Sequence, residues 1–116
     1  MAGEHPCCTV VEVPARLTQE WLTAGAWLAV PAGGRVLVDA AALETVEAEA
    51  AALAAAAEQL AARAGRVAVY APGDLAFGIA RQALQLAGVA EGVAMAVFRE
   101  REPALRWLLG DDGAAK

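Results

Sequence analysis

The chain has 116 residues, of which 59% are hydrophobic, and it carries a formal net charge of −5. This length suits one domain with a sizeable core, and the high apolar fraction excludes a disordered chain. An acidic chain lacks the clustered Lys and Arg that bind a phosphate backbone, so we expect no nucleic-acid partner.

The N-terminus and the longest apolar run set the expected location. The first ten residues lack a basic start followed by an apolar core, which argues against a secretory signal. The apolar run 21–30 is shorter than the ~20 residues of a membrane helix, so we expect no membrane insertion. Cys7 and Cys8 are adjacent, and neighbouring cysteines rarely meet disulfide geometry. Two thiols fit a reducing compartment, and we predict a cytoplasmic protein.

The first half of the chain predicts two strands and two helices. A β-branched run predicts a strand over 8–13, and Thr18 is a candidate N-cap for the first helix. Arg35–Asp39 predicts the second strand. The alanine-rich segment 47–64 predicts a long helix, because alanine is the best helix former. We expect Gly65 to end this helix as a left-handed residue.

The second half repeats the alternation of strand and helix. A strand over 67–70 leads into a Pro-Gly turn, and Asp74 is the expected N-cap of a third helix that ends at Gly88. A fourth strand is predicted over 93–98, and Pro103 is expected at the first position of a last short helix.

This order predicts an α/β fold with a mainly parallel sheet of four or five strands in chain order and four helices. We expect one domain over 8–110, a flexible N-terminal tail over 1–7 and a disordered tail over 111–116.

The third helix carries the candidate interaction residues Asp74, Phe77 and Arg81. The helix is apolar over more than half of its circumference, which predicts burial on more than one side. Arg81 lies on the remaining polar arc, one turn after Phe77, where it could anchor an acidic partner or headgroup. The alternative interpretation is an ion-paired or solvated surface arginine whose stem covers Phe77.

Three segments resemble the SpoIIAA-like branch of the STAS superfamily. They are RVLVD at Arg35–Asp39, AVYAPGDLAFGIAR at 68–81 and VFREREPALRWL at 97–108. The resemblance implies small bacterial α/β proteins without established enzymatic activity, often described together with CRAL-TRIO lipid-transfer domains. Such proteins usually begin with a two-stranded hairpin. Here the first hairpin strand is either absent or lies within 1–7.

The resemblance also bears on phosphorylation. Anti-sigma-factor antagonists carry a phosphorylatable serine at the start of the helix that follows the Asp-ending strand. This chain contains no serine, and Ala48 and Glu49 occupy that region. Thr45 is the only nearby hydroxyl and is a weak phosphosite candidate, because Glu44, Glu47 and Glu49 would repel a phosphate there.

Several chemistries lack their required residues. His5, Cys7 and Cys8 supply three soft ligands on one tail, whereas a structural metal site needs four with separated spacing. A single His without any Ser excludes a Ser–His triad, and the turn at 72–74 has no G-x-G-x-x-G pattern. Asp39 is interpreted as a loop or cap residue. We therefore predict no catalytic residues, no metal, no cofactor and no enzymatic activity.

Two functions remain. The first is a non-enzymatic, STAS-like protein-interaction module, and the alternative is a carrier or sensor of a small apolar or lipid ligand. A pocket lined by Trp, Phe and Leu with Arg81 at its mouth would favour the carrier. A full core with an apolar outer face would favour the interaction module, and Trp21, Trp27 and Trp107 are interpreted as core residues.

The strand composition also predicts a homodimer. Both 36–38 and 67–69 direct apolar side chains to the two faces of the sheet, and successive right-handed crossovers place the helices mainly on one face. A helix-free apolar face and an unpaired sheet edge would remain, and a second copy would cover them.

Overall fold

The computed structural model describes residues 2–5, 8–25, 27 and 29–110, with side chains described from residue 8 onward. The strands are β1 (Ala2–His5), β2 (Cys8–Glu12), β3 (Arg16–Leu17), β4 (Arg35–Asp39), β5 (Thr45–Val46), β6 (Arg66–Tyr70) and β7 (Met95–Phe98). The helices are α1 (Gln19–Ala24), α2 (Ala50–Arg63), α3 (Asp74–Ala87) and α4 (Arg101–Leu108).

Five of these strands form the main sheet in the order β1-β2-β4-β6-β7. β1 is antiparallel to β2, and every other pair in this sheet is parallel. The two short strands β3 and β5 form a separate parallel ladder. The prediction of an α/β fold with a mainly parallel sheet in chain order and four helices is therefore confirmed.

The flexible tail predicted for 1–7 is wrong for the residues that form β1. Ala2–His5 pairs with β2 in a register that places Ala2 opposite Val11 and His5 opposite Cys8. The first hairpin strand is therefore present, and it covers the edge of β2 that we expected to be unpaired. The predicted tail over 111–116 lies outside the described residues.

Side chains alternate between the two faces of the main sheet. In β4, Val36 packs in the cluster that contains residues of α2 and α3, whereas Leu37 packs in the cluster of α4. In β6, Val67 packs in the cluster of α2 and α3, and Ala68 packs in the cluster of α4. The sheet is therefore the middle layer of three, with α1, α2 and α3 on one side and α4 on the other.

The helix-free face that we predicted does not exist, because α4 covers it. Ala104, Trp107 and Leu108 pack there with Leu37 and Ala68. The crossover rule places α1, α2 and α3 on one face because each connects two parallel strands. Helix α4 follows β7, and no further strand comes after it among the described residues, so the rule does not fix its side. Both structural reasons for a homodimer are thus wrong, and the homodimer loses their support.

Gly65 follows α2 for a different reason than the one predicted. It is not among the described glycines with positive φ, and the C-cap of α2 is Ala64. A Cβ atom built on Gly65 would lie 2.5 Å from the carbonyl oxygen of Gly33. The Gly65 N–H also donates to the carbonyl of Gly34 at 2.8 Å. A close approach of two backbone segments therefore requires this glycine.

Helix α3 is buried on fewer sides than its composition predicts. Leu75 is 47% exposed and Leu86 is 58% exposed. The two are eleven residues apart, a spacing that places them on one side of an α-helix. The buried residues of α3 are Ala76, Ala83 and Leu84. The predicted end of the helix is confirmed, since Gly88 is the C-cap with a left-handed φ of 73°.

Candidate functional site

The three predicted interaction residues lie together at the carboxyl end of the main sheet. α3 begins there, directly after β6, and Arg99 follows the neighbouring strand β7. Asp74 Oδ1 accepts a hydrogen bond from Arg99 Nη1 at 2.7 Å. The guanidinium carbon of Arg99 lies 4.2 Å from the centroid of the Phe77 ring, and that of Arg81 lies 5.8 Å away. Sequence reasoning found Asp74, Phe77 and Arg81 but missed Arg99.

Asp74 is a helix residue and not the N-cap that we predicted. The N-cap is Gly73, and no side chain caps this end of the helix. The Asp74 side chain is 95% exposed and is paired with Arg99. The carboxylate nevertheless lies in the first turn, where the helix dipole favours negative charge.

Arg81 forms an ion pair with a second acid that the sequence did not identify. Its Nε lies 3.3 Å from Glu91 Oε1. The other carboxylate oxygen of Glu91 accepts from the Val97 N–H at 3.4 Å, on the outer edge of β7. Arg81 thus matches the ion-paired interpretation, with its guanidinium near Phe77, and Glu91 covers part of an otherwise open strand edge.

Asp39 and Arg101 form a third pair at the same end of the sheet. Arg101 Nη1 donates to Asp39 Oδ2 at 3.1 Å, while Asp39 Oδ1 accepts from the Ala41 N–H at 3.0 Å. Asp39 was interpreted as a loop or cap residue. It is the last residue of β4 and therefore not a loop residue, but its side chain caps the turn that follows the strand. Each of Arg81, Arg99 and Arg101 therefore has an acidic partner, so the cluster has no excess charge to attract an anion.

Thr45 lies in the short ladder away from this cluster. Its position in β5 is opposite Arg16 in β3, and its side chain is exposed. Arg16 donates two hydrogen bonds to Glu47, one of them from Nη2 to Oε1 at 3.1 Å. The hydrogen bond from Arg16 lowers the pKa of the Glu47 carboxyl, and the same bond raises the pKa of Arg16. The cation nearest to Thr45 in the ladder is thus already paired, and the phosphosite stays a weak prediction.

Two of the three predicted metal-ligand candidates, His5 and Cys8, lie in strands and not on a loose tail. His5 is in β1 opposite Cys8, and Cys8 is partly buried at the border of the α4 cluster. Cys7 lies outside the described residues. Within the described part of the chain, no group of three or more His, Cys, Asp or Glu side chains could hold a metal ion.

An apolar cavity lies between the main sheet and helices α1, α2 and α3. Its volume is about 130 Å³, and every described residue that lines it is apolar. The sheet side is formed by Val11, Val13, Val38, Ala40, Val69 and Met95. The helix side is formed by Trp21, Leu22, Leu53, Ala56, Ala57, Leu60, Ala76, Ile79, Ala80, Ala83 and Leu84, and the remaining walls by Leu17, Trp27 and Leu43.

Alanine explains why this space is empty. The two longest helices both direct alanines toward it, and these are Ala56 and Ala57 of α2 and Ala76, Ala80 and Ala83 of α3. A methyl group fills less of the gap between a helix and a sheet than a larger side chain would. The side chains around this space therefore make fewer contacts than they would in a fully packed core.

The cavity reaches the central strand of the sheet. Val38 lies in β4 and faces the helices, yet it is only partly buried, whereas Val36 on the same face is fully buried. Trp21, Leu22 and Ala56 in the helix wall are also only partly buried. The cavity is therefore open to solvent on the side of α1 and α2.

The predicted markers of a ligand pocket match this cavity in part. Trp21 and Trp27 line it with several leucines. Trp27 is also a buried core residue, as we predicted, and Trp21 packs against the same core cluster. Neither Phe77 nor Arg81 is among its lining residues. Alanine at inward positions of two helices was the sequence feature that could have located the cavity.

Comparisons with known proteins give no relative of this chain. No family model matches the sequence, and neither the curated proteins nor the solved structures provide a match. The membership in the SpoIIAA-like branch of the STAS superfamily therefore stays a prediction. None of the described helices has the length and apolar character needed to cross a bilayer.

Proposed function

We propose that this protein binds a small apolar molecule in the cavity between the sheet and α1, α2 and α3, as a carrier or sensor. The single observation that supports the proposal is a cavity of about 130 Å³ with an entirely apolar described lining. An engineered cavity of about 150 Å³ in another protein stays dry and binds benzene. A molecule the size of one aromatic ring would therefore fill this space.

The size of the cavity decides which of the predicted ligands, a small apolar molecule or a lipid, can fit. A space that holds about one ring is too small for a long acyl chain, so a small apolar molecule fits better than a whole lipid. Binding would replace void with contacts and recover part of the free energy that the empty cavity costs. The proposal requires binding alone and no catalytic step.

The experiment compares the native chain with a variant whose cavity is filled. Ethylbenzene serves as the probe, and binding is measured by isothermal titration calorimetry and by the rise in melting temperature. Ala80→Leu places a larger side chain in the cavity and should weaken ethylbenzene binding by about tenfold or more.

Ala51→Leu is the matched control. Ala51 is exposed on α2 and does not line the cavity, so this variant should bind ethylbenzene as the native chain does. Failure of the folded native chain to bind ethylbenzene would contradict the proposed function. Equal weakening by both variants would place the probe somewhere else.

A protein-interaction module is the second candidate, and one observation favours it. Leu75 and Leu86 expose apolar side chains on one side of α3, where a partner protein could pack. This surface differs from the sheet face on which a homodimer was predicted. Native mass spectrometry addresses both candidates, because it reports the number of subunits and any small molecule retained through purification.

A further inference from the structure

A groove between α1 and α2 lies beside the cavity. Its volume is about 230 Å³. Leu22, Trp27 and Ala56 line both the groove and the cavity. These three residues form a wall that the two spaces share.

The three residues of this shared wall are held in different ways. Trp27 is fixed, because its indole N–H donates to the carbonyl of Leu22 at 3.2 Å. Ala56 contributes only a methyl group. The Leu22 side chain is partly buried, and α1, a helix of six residues, contains no buried residue. Because Leu22 belongs to both linings, a rotation of its side chain would connect the two spaces.

The groove differs from the cavity in its chemistry. Besides the shared wall it is lined by Gln19, Thr23, Gly25, Ala52, Ala55 and Gln59. Three of these side chains are polar, and none of the described lining residues is charged. The exposed amide of Gln59 offers both hydrogen-bond donors and an acceptor. A neutral polar group would find partners here, whereas an ion would find no opposite charge in the lining.

We propose that the cavity and the groove form one site for an amphipathic small molecule. The apolar body, of the size of one aromatic ring, lies in the cavity, and an uncharged hydrogen-bonding end lies in the groove near Gln59. This inference rests on the proposed function, because it requires that the cavity binds an apolar body.

The test compares four probes that share a phenyl ring and a two-carbon arm. They are ethylbenzene, 2-phenylethanol, phenylacetate and 2-phenylethylammonium. An alcohol buried in a closed apolar cavity would bind about tenfold or more weakly than ethylbenzene, because its hydroxyl would have no partner. We expect 2-phenylethanol to bind within about threefold of ethylbenzene or more tightly, and both ions to bind at least about tenfold more weakly than the alcohol.

A double variant tests whether the groove holds the polar end. Thr23→Val with Gln59→Leu removes two polar side chains of the groove and leaves the cavity lining intact. It should weaken binding of 2-phenylethanol by about threefold to tenfold and leave ethylbenzene unchanged. Gln82→Leu with Gln85→Leu is the control, since both glutamines are exposed on α3 and line neither space.

The outcomes separate this inference from the proposed function. If ethylbenzene binds but the alcohol binds tenfold more weakly, the proposed function stands and the amphipathic site is wrong. If either ion binds more tightly than the other probes, the proposal of an uncharged ligand end is wrong. If the double variant leaves the ratio of 2-phenylethanol affinity to ethylbenzene affinity unchanged, the groove does not hold the polar end and the inference is also wrong. If neither ethylbenzene nor the alcohol binds the folded chain, the proposed function fails and this inference fails with it.

Discussion

The two faces of the main sheet are packed to different degrees. On the α4 side, Leu37, Ala68 and Leu108 are fully buried. On the side of α1, α2 and α3, the packing leaves a cavity of about 130 Å³ that reaches Val38 in the central strand. One helix of eight residues thus fills its face better than three helices fill the other.

The size of the side chains accounts for this difference. α4 contributes Trp107, whose ring centroid lies 5.9 Å from that of Phe98. The Arg66 guanidinium carbon lies 4.5 Å from the Trp107 ring centroid, and its Nη1 donates to the Trp107 carbonyl. The opposite layer directs alanines from α2 and α3 at the sheet. Close packing depends on matching volumes, so more helix does not by itself give a fuller core.

Truncation of Trp107 is the change with the largest expected effect. Trp107 is 7% exposed and is the largest side chain on the α4 side. Trp107→Ala should cost about 3–5 kcal/mol in the free energy of unfolding, measured by chemical denaturation. Leu109→Ala is the control, since Leu109 follows α4 and is 53% exposed. A loss below about 1 kcal/mol for Trp107→Ala would show that α4 is peripheral.

The same substitution on the two faces should change stability in opposite directions. Ala104→Leu adds a larger side chain to α4 at a fully buried position and should cost about 1–3 kcal/mol. Ala80→Leu adds it to α3 beside the cavity and should stabilise the chain by about 0.5–2 kcal/mol. Alanine and leucine have similar helix propensities, so packing decides the sign. Effects of equal sign in chemical denaturation would contradict the comparison.

The strand pattern predicted most of the fold. Apolar strands alternating with helices gave the parallel sheet in chain order, because this alternation and the right-handed crossover restrict the topology strongly. The side of α4 could not be predicted in this way, because no strand follows it in the part of the chain that the structure describes. The role of Gly65 was also missed, since its contact with Gly33 joins segments that are distant in sequence.

The candidate site was predicted less well than the fold. Asp74, Phe77 and Arg81 were expected to act together, and they do lie together. Their partners Arg99 and Glu91 follow or precede another strand, and only the tertiary structure brings them close. The cavity is a space that the side chains leave unfilled, and no sequence motif marks such a space. The alanines on the inward sides of α2 and α3 are the only sequence feature that indicates it.

The ion pair between Arg16 and Glu47 lies beside the cavity. Removing this pair is the change with the smallest expected effect on stability. The pair joins the ends of β3 and β5, and Leu17 of β3 lines the cavity. The hydrogen bond from Arg16 lowers the pKa of Glu47 in the folded chain. A lowered carboxyl pKa contributes stability that is present above the pKa of the unfolded chain and is lost as the pH falls through the folded pKa.

Glu47→Gln should therefore reduce stability slightly at pH 7 and leave it unchanged at a pH below the folded pKa of Glu47, where the native carboxyl is also neutral. Both side chains are well exposed, so solvent screens the pair and the difference is small. Melting temperatures of the native chain and the variant between pH 7 and pH 2 measure this difference.

Glu44→Gln is the control, because Glu44 is a nearby exposed acid without an ion pair among the described residues. A gap between native and Glu47→Gln melting temperatures that stays constant across this range would show that the charge of Glu47 contributes nothing. The difference would then come from the altered shape of the side chain.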